Sequence, residues 1–250
     1  MSKLLWQPVE ERKKRANVTK FMEFVNKRYG KDLHTYQELY HWSIDNIPDF
    51  WASVWDFSGV KASKPFEEVV DGLDKFPGAK WFIGAKLNFA ENLLRYKDER
   101  TAFIFKGEDR KTARMSYAEL YDQVARLAKS LREIGIKPGD RMVAYMPNLM
   151  ETVVAMLAAT SIGAIWSSCG SELGPGAVLD RFGQIEPKVL FAADGYFFKG
   201  GIFNTLSNAA KVAQGVPSIE KVVVVPYITE KPDISSIPNA VCYKDFLSRK

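Results

Sequence analysis

Residues 141–168 read RMVAYMPNLMETVVAMLAATSIGAIWSS. Arg141 to Met146 and Ala164 to Ser168 are apolar runs of strand length, and Glu151 to Ile162 between them is an almost wholly apolar helix candidate. A strand, a buried helix and a second strand form one right-handed crossover unit with parallel strands. The alternation continues downstream, where Gly176 to Ile185 and Phe203 to Ala213 are expected helices and Lys188 to Ala192 and Lys221 to Val225 expected strands. Upstream, Thr101 to Lys106 is a strand candidate, followed by a turn through Gly107-Glu108-Asp109. Ser116 and Glu119 then have capping-box spacing, in which each side chain satisfies an orphan amide of a helix start. That helix is expected from Tyr117 to Ile134, because Leu120, Val124, Leu127, Leu131 and Ile134 recur at helical steps and Gly135 stops it. The fold class is therefore α/β, a doubly wound and mostly parallel sheet.

The chain from Met1 to about Arg95 has another character. Helical spacing is present at Val18 to Tyr29, through Phe21, Phe24 and Val25, and at Tyr36 to Ile44 ahead of Pro48. Of the 6 tryptophans, all but Trp166 fall here: Trp6, Trp42, Trp51, Trp55 and Trp81. Large aromatics this dense usually fasten an extension onto a domain, since each buries a large apolar area. A helical N-terminal extension is expected, with Trp42, Trp51, Trp55 and Trp81 buried against the α/β part. After Pro226, the residues Pro232, Ser235, Ser236 and Pro238 mark a loop, and Tyr243 to Lys250 begins a further element without a cap or polar tail. The expectation is that the chain is the first part of a longer one.

With 46% hydrophobic and 26% charged residues over 250 positions, the chain can bury a sizeable core. No apolar run approaches the ~20 residues of a membrane span, and the first residues lack a signal peptide's pattern, so the expected address is cytoplasmic, with no membrane partner. Cys169, Cys242, His34 and His41 have neither metal-ligand spacing nor the arrangement of a nucleophile–histidine pair, so no metal ligand and no catalytic residue is expected among them. The net charge of +5 tolerates an anionic ligand. Its basic residues are scattered, and Arg12 to Arg15 reads as a solvated helix face, so no nucleic-acid partner is expected.

Ligands of doubly wound sheets bind at the carboxyl ends of the strands. The loops there are Pro147-Asn148, Ser168 to Gly176, Asp194 to Gly201 and the segment after Val225. Cys169-Gly170-Ser171-Glu172-Leu173-Gly174-Pro175-Gly176 runs into a helix, where free amides and the helix dipole favour an anion. It matches neither G-x-G-x-x-G nor G-x-x-x-x-G-K-[ST], and a simple tight turn is the favoured reading of the loop taken alone. In the third loop Lys199 stands beside Phe198 and Gly200, a pattern that fits a phosphate clamp with an aromatic support or a surface turn with a solvated lysine.

Taken together the motifs resemble a known family. Trp166-Ser167-Ser168-Cys169, the run Val178 to Phe191 and Ala193-Asp194-Gly195-Tyr196 closely resemble acetoacetyl-CoA synthetases. Met115 to Leu120 and Pro138-Gly139-Asp140-Arg141 resemble early motifs of the wider adenylate-forming superfamily. Phe50 to Phe57 and Trp81 to Asn92 resemble the extension of acetyl- and acetoacetyl-CoA synthetases. The resemblance implies an extension at residues 1–97 and, at 98–250, the beginning of an AMP-binding domain, the first subdomain of the adenylate-forming fold.

It further implies a two-step ligase reaction. ATP and acetoacetate form an acyl-adenylate with loss of pyrophosphate, and the CoA thiol then takes the acyl group, with Mg2+ neutralising phosphates. The family's phosphate loop, ribose-binding acid and adenylate-contacting lysine all lie later in the chain, so no catalytic residue is assigned here. The turn Gly170-Ser171 matches a backbone turn beside the CoA site, and Lys199 with Gly200 occupies the loop where related enzymes hold CoA phosphates with arginines. Phe198 and Gly201 stand near those arginine places. Acetate or propionate are alternative substrates, and a non-catalytic binding module is the alternative of another class. An independent Rossmann domain is disfavoured because G-x-G-x-x-G is absent. The oligomeric state is left open.

Overall fold

The computed structural model describes residues 5–109 and 111–247, and residues 248–250 of the last expected element lie outside them. The chain divides into two compact units, Met1–Leu87 and Asn88–Lys250.

The first unit contains α1 (Glu10–Arg15), α2 (Asn17–Tyr29), α3 (Tyr36–Asp45), α4 (Ile47–Ser58) and an antiparallel pair, β1 (Glu68–Asp71) with β2 (Lys80–Ile83). Phe21 and Val25 of α2 and Leu39 and Trp42 of α3 form its buried core, with Phe50 and Val54 of α4 packed on it. Thr35 caps α3 reciprocally: its hydroxyl accepts the Glu38 N–H at 3.2 Å, and the Glu38 carboxylate accepts the Thr35 N–H at 2.8 Å. The expected burial of all four tryptophans against the α/β part is corrected. Trp42 is buried in the core of its own unit, whereas Trp51 and Trp81 are 40% and 42% exposed and meet edge to face at 5.9 Å. Trp55 lies between Phe66 and Phe82, with centroids at 5.2 and 4.8 Å. Aromatic pairing inside the extension accounts for these rings.

The second unit runs α5 (Phe89–Leu93), β3 (Thr101–Lys106), β4 (Thr112–Ser116), α6 (Tyr117–Glu133), β5 (Arg141–Tyr145), α7 (Met150–Ser161), β6 (Ile165–Cys169), α8 (Pro175–Gly183) and β7 (Val189–Ala193). It continues with β8 (Gly195–Phe198), β9 (Gly201–Asn204), α9 (Leu206–Gly215), β10 (Lys221–Val225), β11 (Ala240–Cys242) and α10 (Tyr243–Phe246). Five strands form one sheet in the order β11-β10-β7-β5-β6, and all its pairings are parallel. The capping box is present: Glu119 N–H donates to the Ser116 hydroxyl at 3.2 Å and Ser116 N–H to the Glu119 carboxylate at 2.7 Å.

Both faces of this sheet are covered, which is why its strands read as continuous apolar runs. Met142 and Ala144 of β5, Val189 and Phe191 of β7 and Val223 of β10 face a core completed by Leu120, Val124, Leu127 and Leu131 of α6 and Val154 and Leu157 of α7. The intervening residues Val143, Tyr145, Leu190, Ala192, Val222 and Val224 face the opposite core, with Val178 and Phe182 of α8 and Ala209 and Val212 of α9. From β5 the chain moves to β6 on one side and then crosses to β7 on the other. The direction of winding therefore reverses between β5 and β7, and a crevice opens at their carboxyl ends.

Two sequence expectations are corrected beside that crevice. The sequence predicts a loop over Asp194 to Gly201, but Gly195–Phe198 and Gly201–Asn204 pair as an antiparallel hairpin. Phe203 therefore belongs to β9, and the helix expected from it begins at Leu206. The turn consists of Lys199 at φ +48° and Gly200 at φ +78°, the doubly positive turn that matches strand twist in two-residue hairpins. Lysine at such a position gives no turn signal in sequence.

Candidate functional site

A cleft of about 980 Å³ opens at the carboxyl ends of β5, β6 and β7. The first unit contains smaller hollows, of about 350 and 510 Å³. One wall of the cleft is the segment Met146 to Leu149 after β5, pinned where Thr152 Oγ1 donates to the Pro147 carbonyl at 3.0 Å. Beside it lie Cys169, Gly170 and Glu172 after β6. The wholly buried Tyr145 anchors this turn from beneath. Its hydroxyl proton is shared between the carbonyls of Ser171 at 2.9 Å and Leu173 at 2.6 Å, and Asn208 Nδ2 donates back to it at 3.5 Å. Burial raises the Tyr145 pKa and keeps the hydroxyl a donor. Glu172 folds back over Gly170, so a side chain at position 170 would collide with its carboxylate.

The facing wall is aromatic. Tyr196, Phe197, Phe198 and Phe203 of the β8–β9 hairpin line it together with Tyr227 from the segment after β10. Tyr196 stacks on Phe203 at 5.1 Å, and Tyr227 meets Phe197 at 5.2 Å and Phe105 at 6.2 Å, both edge to face. At the root of the wall Asp194 is fully buried. One of its oxygens accepts the N–H groups of Tyr227 at 2.7 Å and Ile228 at 2.9 Å; the other accepts the N–H and the hydroxyl of Thr229, both at 2.9 Å. Gly195 leaves no space for a Cβ, which would strike the Phe203 carbonyl and Ile228.

Of the residues singled out in the sequence, Gly170 lines the cleft. Ser171 does not: it is 3% exposed, and its hydroxyl has no hydrogen-bond partner. Lys199 and Gly200 form the tip of the hairpin. The Lys199 N–H donates to the Glu108 carboxylate at 2.8 Å, joining this tip to the β3–β4 turn, and its exposed ammonium lies 5.2 Å from the Phe198 ring centre. Glu172 lines the cleft from within the Cys169 to Gly176 loop, and Phe105, Glu108 and Tyr227 line it although no sequence motif marks them.

Chemically the cleft suits a flat ring or a neutral chain better than a row of phosphates. Lys106 is the cation among its described lining residues, against the carboxylates of Glu108 and Glu172. Burial pushes the Cys169 thiol up to about 11, so it is no nucleophile at neutral pH. Among the described residues no group of three or more His, Cys, Asp or Glu side chains converges. None of the described helices is long and apolar enough to cross a membrane.

Comparison with known proteins agrees with this layout. Residues 89–242 match the family described as AMP-binding enzyme, and residues 36–93 match the acetyl-coenzyme A synthetase N-terminus. An acetoacetyl-CoA synthetase of Danio rerio is 41% identical over 99% of this chain and 37% of its own length. A malonamoyl-CoA synthetase of Penicillium aethiopicum is 36% identical over 98% of this chain and 35% of its own. The solved structure of acetoacetyl-CoA synthetase from Streptomyces lividans superposes with a TM-score of 0.90 at 35% identity, covering 99% of this chain and 38% of that one. The chain thus spans little more than a third of these relatives, and the family match covers most of the α/β unit and its cleft. On that match the chain belongs to the AMP-binding enzyme family.

Proposed function

We propose that these residues are the N-terminal part of an ATP-dependent acetoacetate–CoA ligase of the cytoplasm, with residues 1–97 as its extension and 98–250 as the start of its AMP-binding domain. In the reaction, acetoacetate attacks the α-phosphorus of ATP, pyrophosphate leaves, and the CoA thiol then displaces AMP from the acyl carbon. The observation that carries this reading is the end-to-end similarity to acetoacetyl-CoA synthetases, at 41% identity in sequence and a TM-score of 0.90 in structure. ATP, CoA and Mg2+ are the cofactors in this reading, the Mg2+ held largely by the nucleotide phosphates. The cleft receives the CoA nucleotide or pantetheine arm along its aromatic wall, with Gly170 at its floor and Lys199 and Gly200 at its rim.

The relatives narrow the acyl group. Malonamate is acetoacetate with an amino group in place of the methyl, so the relatives named for the two acids share a carbonyl β to the carboxylate. Acetate and propionate lack it. In the full-length enzyme, CoA-thioester formation should favour acetoacetate over acetate by on the order of 10⁴-fold in kcat/KM, because a site built around a polar substrate group rejects analogues lacking it. A preference for acetate would overturn the acetoacetate assignment, and no thioester from any of the four acids would favour a non-catalytic module. Lys199→Ala should raise the KM for CoA about two- to fivefold, the range of an exposed charge contact, with ATP-dependent adenylation nearly unmoved. An unchanged KM for CoA would remove Lys199 from the site.

A further inference from the structure

Asp194 is the point where three separate segments of the cleft meet. Its N–H donates to the Val225 carbonyl at the end of β10 at 3.1 Å, and its carbonyl accepts the Thr205 N–H at the end of the hairpin at 3.1 Å. Its carboxylate, without solvent contact, collects the four donors of Tyr227, Ile228 and Thr229. Three successive backbone amides converging on one side chain hold that segment in a single path, which no regular strand or helix pairing imposes on it. That path brings the Tyr227 ring against Phe197 and Phe105.

We propose that Asp194 is a positioning residue for CoA use: by clamping residues 227–229 to the root of the β8–β9 hairpin it fixes the aromatic wall of the cleft. The proposal rests on the reading that this cleft receives CoA. Asp194 touches no reacting atom and acts through Tyr227. A wall held in place only a tenth of the time would weaken apparent binding about tenfold, since affinity scales with the fraction of competent molecules. The adenylation step, which precedes CoA, would not sense the change.

Asp194→Asn is the sharpest probe. It can keep the oxygen facing Tyr227 and Ile228, but it sets an NH2 group against the Thr229 N–H, leaving a buried donor unpaired. In the full-length enzyme we expect the KM for CoA to rise about tenfold, with kcat and the KM for ATP in pyrophosphate exchange little changed. Amide hydrogen exchange should speed up at Tyr227, Ile228 and Thr229 but not at Val222 to Val225 of β10. Thr229→Val, which removes a single bond, should show the same pattern at about threefold and serves if the Asn variant does not fold. An unchanged KM for CoA in a variant whose 227–229 amides exchange faster would overturn the proposal. So would a parallel fall in both half-reactions at constant KM, the signature of a merely structural residue. Wild-type enzyme that forms no CoA thioester would instead overturn the ligase reading and the CoA role with it, while the exchange pattern would still decide whether Asp194 clamps the wall.

Discussion

Replacing Phe191 by alanine should lower the stability of the α/β unit by about 3–5 kcal/mol. Phe191 is fully buried in the central strand β7, with Ala144 of β5 and Val223 of β10 as its lateral partners and the Trp166 ring at 5.9 Å. Much of the core around it is alanine: Ala144, Ala155, Ala158 and Ala193 are all buried in the same cluster and cannot extend into a vacated ring volume. Neighbouring strands are tied on both sides, so the backbone cannot close the gap either, and the cavity term adds to the lost transfer free energy. Against a total stability of about 5–15 kcal/mol the loss is large. Phe198→Ala is the contrast, because that ring is 49% exposed at the hairpin end, and its truncation should cost under about 1 kcal/mol. Denaturant unfolding of the two variants beside the parent chain decides the matter. A loss below about 1 kcal/mol for Phe191→Ala would mean that the sheet core relaxes around the gap.

The sheet is legible in the sequence because burial on both faces turns each strand into an apolar run bounded by turn residues. Val222 to Val225 alternate between the two cores, yet every position has to be apolar. The capping box of Ser116 and Glu119 is legible for another reason, since it depends on residues three apart and on nothing distant. The cleft is only partly legible. Its location follows from the strand ends, and Gly170 lies in it, but the direction of Ser171 is set by Tyr145, which holds the Ser171 carbonyl from 26 positions earlier in the chain. The β8–β9 hairpin escapes notice because its turn places a lysine at positive φ beside Gly200, and each short strand carries a glycine, Gly195 and Gly201, so that with its aromatics the segment reads as loop. Asp194 reads as an ordinary loop acid until residues 227–229, more than thirty positions away, close over it. The tryptophans show the same limit: helical spacing indicates which face Trp42 occupies, but not that Trp51 would meet Trp81 across an exposed surface.

Residues 1–250 expressed alone should show no acetoacetate-dependent exchange of labelled pyrophosphate into ATP, whereas the full-length enzyme should exchange readily. Adenylation develops negative charge on the oxygens of the α-phosphate and the departing pyrophosphate, and it needs several donors and a metal around those phosphates together with an aligned carboxylate. The cleft present here has Lys106 as its cation beside Glu108 and Glu172, and the described residues bring no three metal-binding side chains together. Removal of one such electrostatic donor typically costs about 10²–10³ in rate, and lost positioning of reactants up to about 7–11 kcal/mol, so absence of the whole set leaves the reaction below detection. The comparisons put the deficit in proportion, because these residues correspond to 37% of the Danio rerio relative and 38% of the Streptomyces lividans structure. Self-association should accompany the inactivity. Strand β6 ends the sheet order with Ile165 54% exposed, and an unpaired strand edge beside exposed apolar side chains offers a template for another chain. Size-exclusion chromatography read beside the exchange assay separates the two effects. A monomeric fragment that stays inactive would trace the loss to the missing phosphate-binding groups, while robust exchange by the fragment would show that those groups are already assembled around this cleft.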